Sequence, residues 1–301
     1  MLKMNNSHLV PLAMLLFAAA IYSMTFSLNR IVITEGIPVF AFVFWQSLGA
    51  ALLAFVVAVA TRQRLSLRCK DLRFYLLLGT FGTAVPITLL AFAAPKVPAG
   101  AIALCLTLEP ILTYVIAVLF RIDHVRLFRI AGILVGLAGI LLVLLPRQSL
   151  PEPGMAPWLL MAFGAPLCWA LSNVYIAILR PPQSRPIPLT CGKFFAAAVL
   201  MLPVMAVTDN WWTFDATMTD GDWALIGTIV IGAIFLVLAF KIIRIAGPVF
   251  LSTYGYFGTL MGLGWATLYF GEVPNPWIGA AIALLFLGLF LVNRPSKRSS
   301  V

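Results

Sequence analysis

Apolar runs of about 20 residues, the length a membrane-crossing helix needs, alternate along the chain with short polar, basic or proline-containing breaks. They lie near 10–29, 38–60, 74–94, 97–119, 127–146, 157–179, 187–208, 223–243, 246–270 and 276–293. A run such as "AGILVGLAGILLVLL" (131–145) is apolar all round. It lacks the period-two alternation of a membrane β-strand, so the runs predict helices. The expectation is an all-α integral membrane protein with ten transmembrane helices.

Composition agrees with the pattern. The 301 residues are 62% hydrophobic and 10% charged, with a mean hydropathy of +1.04. Soluble domains average about 45–50% apolar and about 25% charged, so one buried core cannot hold this much apolar surface. The net charge of +10 does not point to nucleic acid, because the basic residues stand in short clusters between apolar runs. Lys3, the stretch from Leu9 and the small residues Ala18-Ala19-Ala20 raise the question of a cleaved signal peptide. Nine more spans follow and the repeat described below needs the first, so it is expected to be a retained helix.

The breaks carry an asymmetric charge. With the amino terminus inside, one face receives Lys3, the cluster Arg62, Arg64, Arg68, Lys70 and Arg73, and Arg121, Arg126 and Arg129. It also receives Arg180, Arg185, Lys241, Arg244, Arg294, Lys297 and Arg298, sixteen in all, against Arg30, Lys96 and Arg147 on the other. Glu35, Glu152, Asp209, Asp215, Asp220, Asp222 and Glu272 fall on the poorly basic face. This bias places both termini in the cytoplasm.

The two halves match at a shift of about 147: Tyr22-Ser23 on Trp169-Ala170, Ala99-Gly100 on Ala246-Gly247, Gly132 on Gly279 and Arg147 on Arg294. Residues 1–148 and 155–294 are therefore expected to be two five-helix repeats, with 295–301 a short basic cytoplasmic tail. An odd number of spans per repeat inverts the second relative to the first. Inverted repeats characterise secondary transporters, whose substrate site lies near the midplane where the repeats meet.

The five-plus-five arrangement, with "PAGAIALCLTLEPILTYVIAVLF" (98–120) and "GEVPNPWIGAAIALLFLGLFLV" (271–292), resembles the EamA-like family of the drug/metabolite transporter superfamily. The resemblance covers essentially the whole chain and is loose about substrate. It implies a carrier of small metabolites such as amino acids, or of drugs, often outward. In the family the fourth helix of a repeat typically ends in Gly-Glu. Gly271-Glu272 matches that pattern, whereas the first half has Ile122-Asp123. Where the second helix often carries an arginine, this chain has Gln46 in "FWQ".

Glu109 and Pro110 stand together halfway along the fourth span, with no Lys or Arg within reach on the same helix. An acid such as Asp costs roughly 2.5–3.5 kcal/mol at a helix centre, so Glu109 needs a buried partner, a water-filled cavity or a proton. A neutral glutamate acting as glue between helices is the structural explanation; a cavity-facing group is the preferred one, with a proton as the candidate coupling ion. Pro110 is expected to kink its helix, and Pro86 and Pro166 carry the same weaker implication. The other candidate substrate-binding residues at this depth are Tyr22, Phe26, Gln46, Trp169, Asn173, Tyr254 and Tyr256. Ser23 and Asn29 extend the first stripe, Ser172 and Tyr175 the second. Aromatic walls with a few amides suit a flat or amphipathic solute. Lys193, offset by the repeat shift from Gln46, reads first as a side chain snorkelling to an interface.

Other features have plainer explanations. Gly132…Gly136 and Gly258…Gly262 are expected to pack helices within the bundle. Asp209, Asp215, Asp220 and Asp222 around "NWWT" make an anchored external connector. Cys69, Cys105, Cys168 and Cys191 show no CxxC spacing, so neither metal nor disulfide is expected. No GxxxxGK[ST] loop is present, which argues against ATP-driven transport by this chain alone, and no cofactor is expected. His8 and His124, both near span ends, cannot supply the base of an intramembrane enzyme. The sequence thus predicts a multi-pass carrier in a cell membrane, expected to be a bacterial inner membrane, with a small-molecule substrate. Uptake of a metabolite or vitamin by the same fold is the alternative, and a channel the rival of a different class.

Overall fold

The computed structural model describes residues 6–122, 124–125, 127–144, 154–179, 185–246, 250–251, 254–271 and 276–293. Among them every regular element is helical. The first half gives α1 (Asn6–Thr34), α2 (Val39–Ala60), α3 (Cys69–Gly79), a π-helical turn (Thr80–Ala84), α4 (Val85–Ala93), α5 (Ala99–Leu106), α6 (Glu109–Leu119) and α7 (Leu127–Leu144). The second gives α8 (Met155–Leu179), α9 (Pro186–Thr208), α10 (Asp220–Ala246), α11 (Tyr254–Phe270) and α12 (Pro276–Asn293). Among the described residues six helices are long and apolar enough to cross a membrane: α1, α2, the continuous α3–α4 unit, α8, α9 and α10. The other four expected spans are helical over shorter stretches.

Many small residues are buried while many large apolar ones face outward. On α2, Ala41, Ala51, Ala54 and Ala58 are buried while Leu52, Phe55, Val56 and Val59 are exposed. Water would reverse that choice. In lipid the tails are as apolar as leucine, so helices gain by close backbone approach across small side chains. A close backbone approach joins α7 to α12, where a Cβ on Gly288 would stand 2.6 Å from the Gly132 carbonyl oxygen and 2.8 Å from the Gly136 nitrogen. Gly132…Gly136 therefore packs inside the bundle.

The principal helix pairings are unchanged when the two halves are exchanged. α1 packs on α10 and α11, and α8 packs likewise on α4 and α6. α2 meets α10 as α9 meets α3. The pairs α2–α9, α5–α11 and α7–α12 each join equivalent positions of the two halves. Most of the helix packing is thus between the halves.

Helix ends follow from local chemistry. α1 stops at Gly36 (φ 95°), whose positive φ costs glycine little. α2, α6 and α9 stop in the same left-handed way at Arg62, Arg121 and Asp209, with φ of 52°, 59° and 50°. In each case the next amide reaches five residues back, as Ile122 N–H does to the Ala117 carbonyl at 2.8 Å. The resemblance places the first repeat's turn at Ile122-Asp123; the left-handed residue is Arg121, and Asp123 lies outside the described residues. Gly271 (φ 64°) takes the equivalent place in the second repeat, and Glu272 lies outside the described residues. So do Lys3, Arg126, Arg147, Glu152, Arg180 and the 295–301 tail.

Candidate functional site

The fourth span is interrupted where the kink is expected. It breaks at Thr107-Leu108 into α5 and α6, and Glu109 and Pro110 form the opening turn of α6. That explains why two residues hostile to a helix centre stand side by side. A first-turn proline lacks an N–H that would have had no partner there, and its φ already suits the helix. A carboxylate in the first turn sits at the positive end of the helix dipole. Pro110, expected to kink the helix at this depth, stands directly after the interruption.

Pro86 likewise follows a rearranged backbone, since the π turn Thr80–Ala84 leads into the α4 turn that holds it. Pro166 lies buried inside α8, which continues as helix on both sides of it.

The break opens onto a cavity of about 840 Å³ lined from both halves. α1 contributes Tyr22, Ser23, Phe26 and Asn29; α2 contributes Gln46; and Glu109 and Pro110 come from α6. Trp169, Ser172 and Asn173 enter from α8, Lys193 and Phe194 from α9, Phe235 from α10 and Tyr254 from α11. Seven of the eight expected substrate-binding residues thus share one space, and the side chain of Tyr256 lies outside the described residues.

Asn173 Nδ2 donates to Glu109 Oε1 at 2.8 Å, bridging the halves across the cavity. The amide gives the carboxylate a donor, and each group answers the other's need for a polar partner at this depth. Close by, Tyr22, Phe235 and Tyr254 form an aromatic cluster. Ring centroids stand 4.3 Å apart for Tyr22–Phe235, 5.0 Å for Phe235–Tyr254 and 6.1 Å for the edge-on pair Tyr22–Tyr254. Trp265 Nε1 donates to the Ala20 carbonyl at 2.8 Å, fixing α11 against α1 beside this cluster. Three cavity residues carry buried oxygens without a hydrogen-bond partner: Asn29 Oδ1, Gln46 Oε1 and Thr83 Oγ1. Acceptors of this kind favour a polar occupant.

Lys193 departs from the snorkelling expectation. α9 is held closely on its other sides: a Cβ on Gly192 would meet the Tyr75 ring, and one on Gly79 would stand 2.8 Å from the Lys193 carbonyl. Its ammonium lines the cavity, 4.7 Å from the Phe194 ring centroid. Gln46 and Lys193, offset by the repeat shift, line the same space from α2 and α9.

Tyr175 also departs from its expected stripe. It stacks on Phe74 at 5.4 Å between centroids and belongs to the packing around Phe74, Tyr75 and Leu78. Phe235 and Thr83 join the cavity with no sequence signal. The first sits in an unbroken apolar run, and the second's depth depends on the π turn.

The acidic connector is an anchored loop. Trp45 Nε1 donates to the Trp212 carbonyl at 3.0 Å, and Trp45, Trp212 and Phe214 pack edge to face. Asp222 is committed to a helix cap: its carboxylate accepts from Thr219 N–H at 2.7 Å, and Thr219 Oγ1 accepts from Asp222 N–H at 3.3 Å. No group of three or more His, Cys, Asp or Glu side chains suited to a metal occurs among the described residues.

Comparison with known proteins places this geometry. The chain is 23% identical over 230 residues to a "Probable terminal-alkyne amino-acid exporter" of Streptantibioticus cattleyicolor, covering 75% of each protein. Its fold is similar to that of a solved crystal structure at a TM-score of 0.62 and 19% identity, covering 93% of this chain and 96% of the other. The EamA-like transporter family matches twice, over residues 9–145 and 156–294. Two matches in tandem, a bundle of apolar helices and a cavity lined from both halves lead to one conclusion: this multi-pass membrane protein belongs to the EamA-like transporter family.

Proposed function

We propose that the chain is a secondary carrier of small organic metabolites, amino acids and related compounds or drugs, that works outward by alternating access. The observation that carries the reading is the cavity itself. Its volume of about 840 Å³ falls within the range of small-molecule sites, about 300–1,000 Å³. Both halves line it, so rocking of one five-helix unit against the other changes its exposure. The units are residues 1–148 and 155–294, inverted in a bacterial inner membrane with both termini cytoplasmic. The exporter name of the Streptantibioticus relative supports the substrate class and the direction.

Glu109 is the proposed coupling group. A carboxylate at a helix break, hydrogen-bonded to the opposite half, can exchange a proton with whichever side the cavity faces. Transport by Glu109→Gln and wild type, measured against pH in proteoliposomes, tests this role. The expected result is a rate that no longer varies with pH; an unchanged rate and profile would reject coupling through Glu109. Loading solute inside or outside the vesicles decides the direction.

A further inference from the structure

Two opposite charges face one cavity and do not neutralise each other. Glu109 and Lys193 both line it, from α6 and α9. Yet no ion pair within 4.0 Å joins them among the described residues. The carboxylate has its Asn173 donor, and the ammonium has the face of Phe194. Holding two separated charges in a low-dielectric interior is costly unless something bridges them.

An occupant with a positive and a negative group satisfies both poles at once. A solute with only one charge satisfies one pole and leaves the other without a counter-charge, which is how buried polar sites reject near analogues. The aromatic cluster of Tyr22, Phe235 and Tyr254 supplies an apolar wall for the remainder of the solute.

We propose that the site selects zwitterionic solutes with an apolar body, Glu109 with Asn173 holding the ammonium end and Lys193 the carboxylate end. This assignment rests on the carrier reading above and adds to it the charge class of the substrate and Lys193 as the residue that sets it. The solute's ammonium and a proton then compete for one carboxylate.

The test uses the full-length protein and three probes that differ only in charge: phenylalanine, phenethylamine and 3-phenylpropionate. Binding is read in detergent by competition against radiolabelled phenylalanine, and flux in proteoliposomes by counterflow. In wild type each single-charge probe is expected to compete at least about tenfold less well than phenylalanine, the factor for losing one charge-assisted contact.

Lys193→Gln should bring phenethylamine level with phenylalanine, Glu109→Gln should do the same for 3-phenylpropionate, and Lys193→Arg should restore the wild-type order. Wild-type competition alone decides the matter if a variant fails to fold. Equal competition by all three probes, no binding of phenylalanine, or an equal loss for all probes in Lys193→Gln would overturn the proposal. Zwitterion-selective binding without counterflow would leave the charge assignment standing and sink the carrier reading, whereas counterflow without charge selection would do the reverse.

Discussion

At the scale of single residues, the chemistry gathers where Asn173 Nδ2 meets Glu109 Oε1 across the two halves. If that bond positions the carboxylate, Asn173→Leu should lower transport about tenfold or more, the cost of one hydrogen bond to a charged group. Asn173→Gln should lose less, since it keeps the donor. Transport by purified variants in proteoliposomes checks both.

Glu109 was legible because a carboxylate in hydrocarbon demands an explanation. Asn173 and Gln46 were legible by the same rule, as amides in apolar runs, and the α1 stripe by Tyr22, Ser23, Phe26 and Asn29 falling on one helix face. Lys193 was harder, since a long basic side chain two turns into a helix can reach an interface. Only the close seating of α9 against Gly79 and Tyr75 turns it inward. Phe235 carried no signal at all, because an apolar residue in an apolar run looks the same facing lipid, core or cavity.

At the scale of helices, breaks and caps decide the geometry. The Glu-Pro pair marks a helix start as much as a kink, and both outcomes obey the same steric rule for proline. The sequence could not separate them, because the choice depends on whether the Thr107-Leu108 backbone finds partners from neighbouring helices.

Two stability predictions belong here. Arg121 occupies the left-handed region at φ 59°, which costs a non-glycine residue about 1 kcal/mol. Arg121→Gly should therefore raise thermal stability in detergent by about that amount. Gly288→Ala should do the opposite. Its Cβ meets backbone atoms of α7 at 2.6 and 2.8 Å, and such overpacking costs roughly 1–3 kcal/mol. Melting of the purified proteins reads both signs, and equal stability of Gly288→Ala and wild type would mean that α7 and α12 part easily.

At the scale of the whole molecule, the pairing of helices is symmetric between the halves and the family matches in tandem. The repeat was visible as a constant shift of about 147 because helix starts, small residues and end charges recur at matching depths. Sequence resolved neither the six long spans from the shorter ones nor the closed pairing α7–α12. Span length and helix contact depend on where each backbone is interrupted, as at Thr107-Leu108. The proposed inverted threading, with both termini cytoplasmic, has a direct consequence for Cys69, which is exposed beside the basic 62–73 segment. In sealed right-side-out vesicles it should resist a membrane-impermeant thiol reagent, and in inverted vesicles it should react.

The most direct test asks whether solute passes through the space between the halves. Phe26 lines the cavity from α1, so Phe26→Cys in a protein whose four native cysteines are replaced puts a single thiol in the proposed path. Counterflow of radiolabelled solute is measured before and after the thiol is modified with a bulky reagent. Block of counterflow by modification, with solute protecting the thiol, is the predicted result. A fully modified protein that still exchanges solute at the unmodified rate would contradict passage through the cavity.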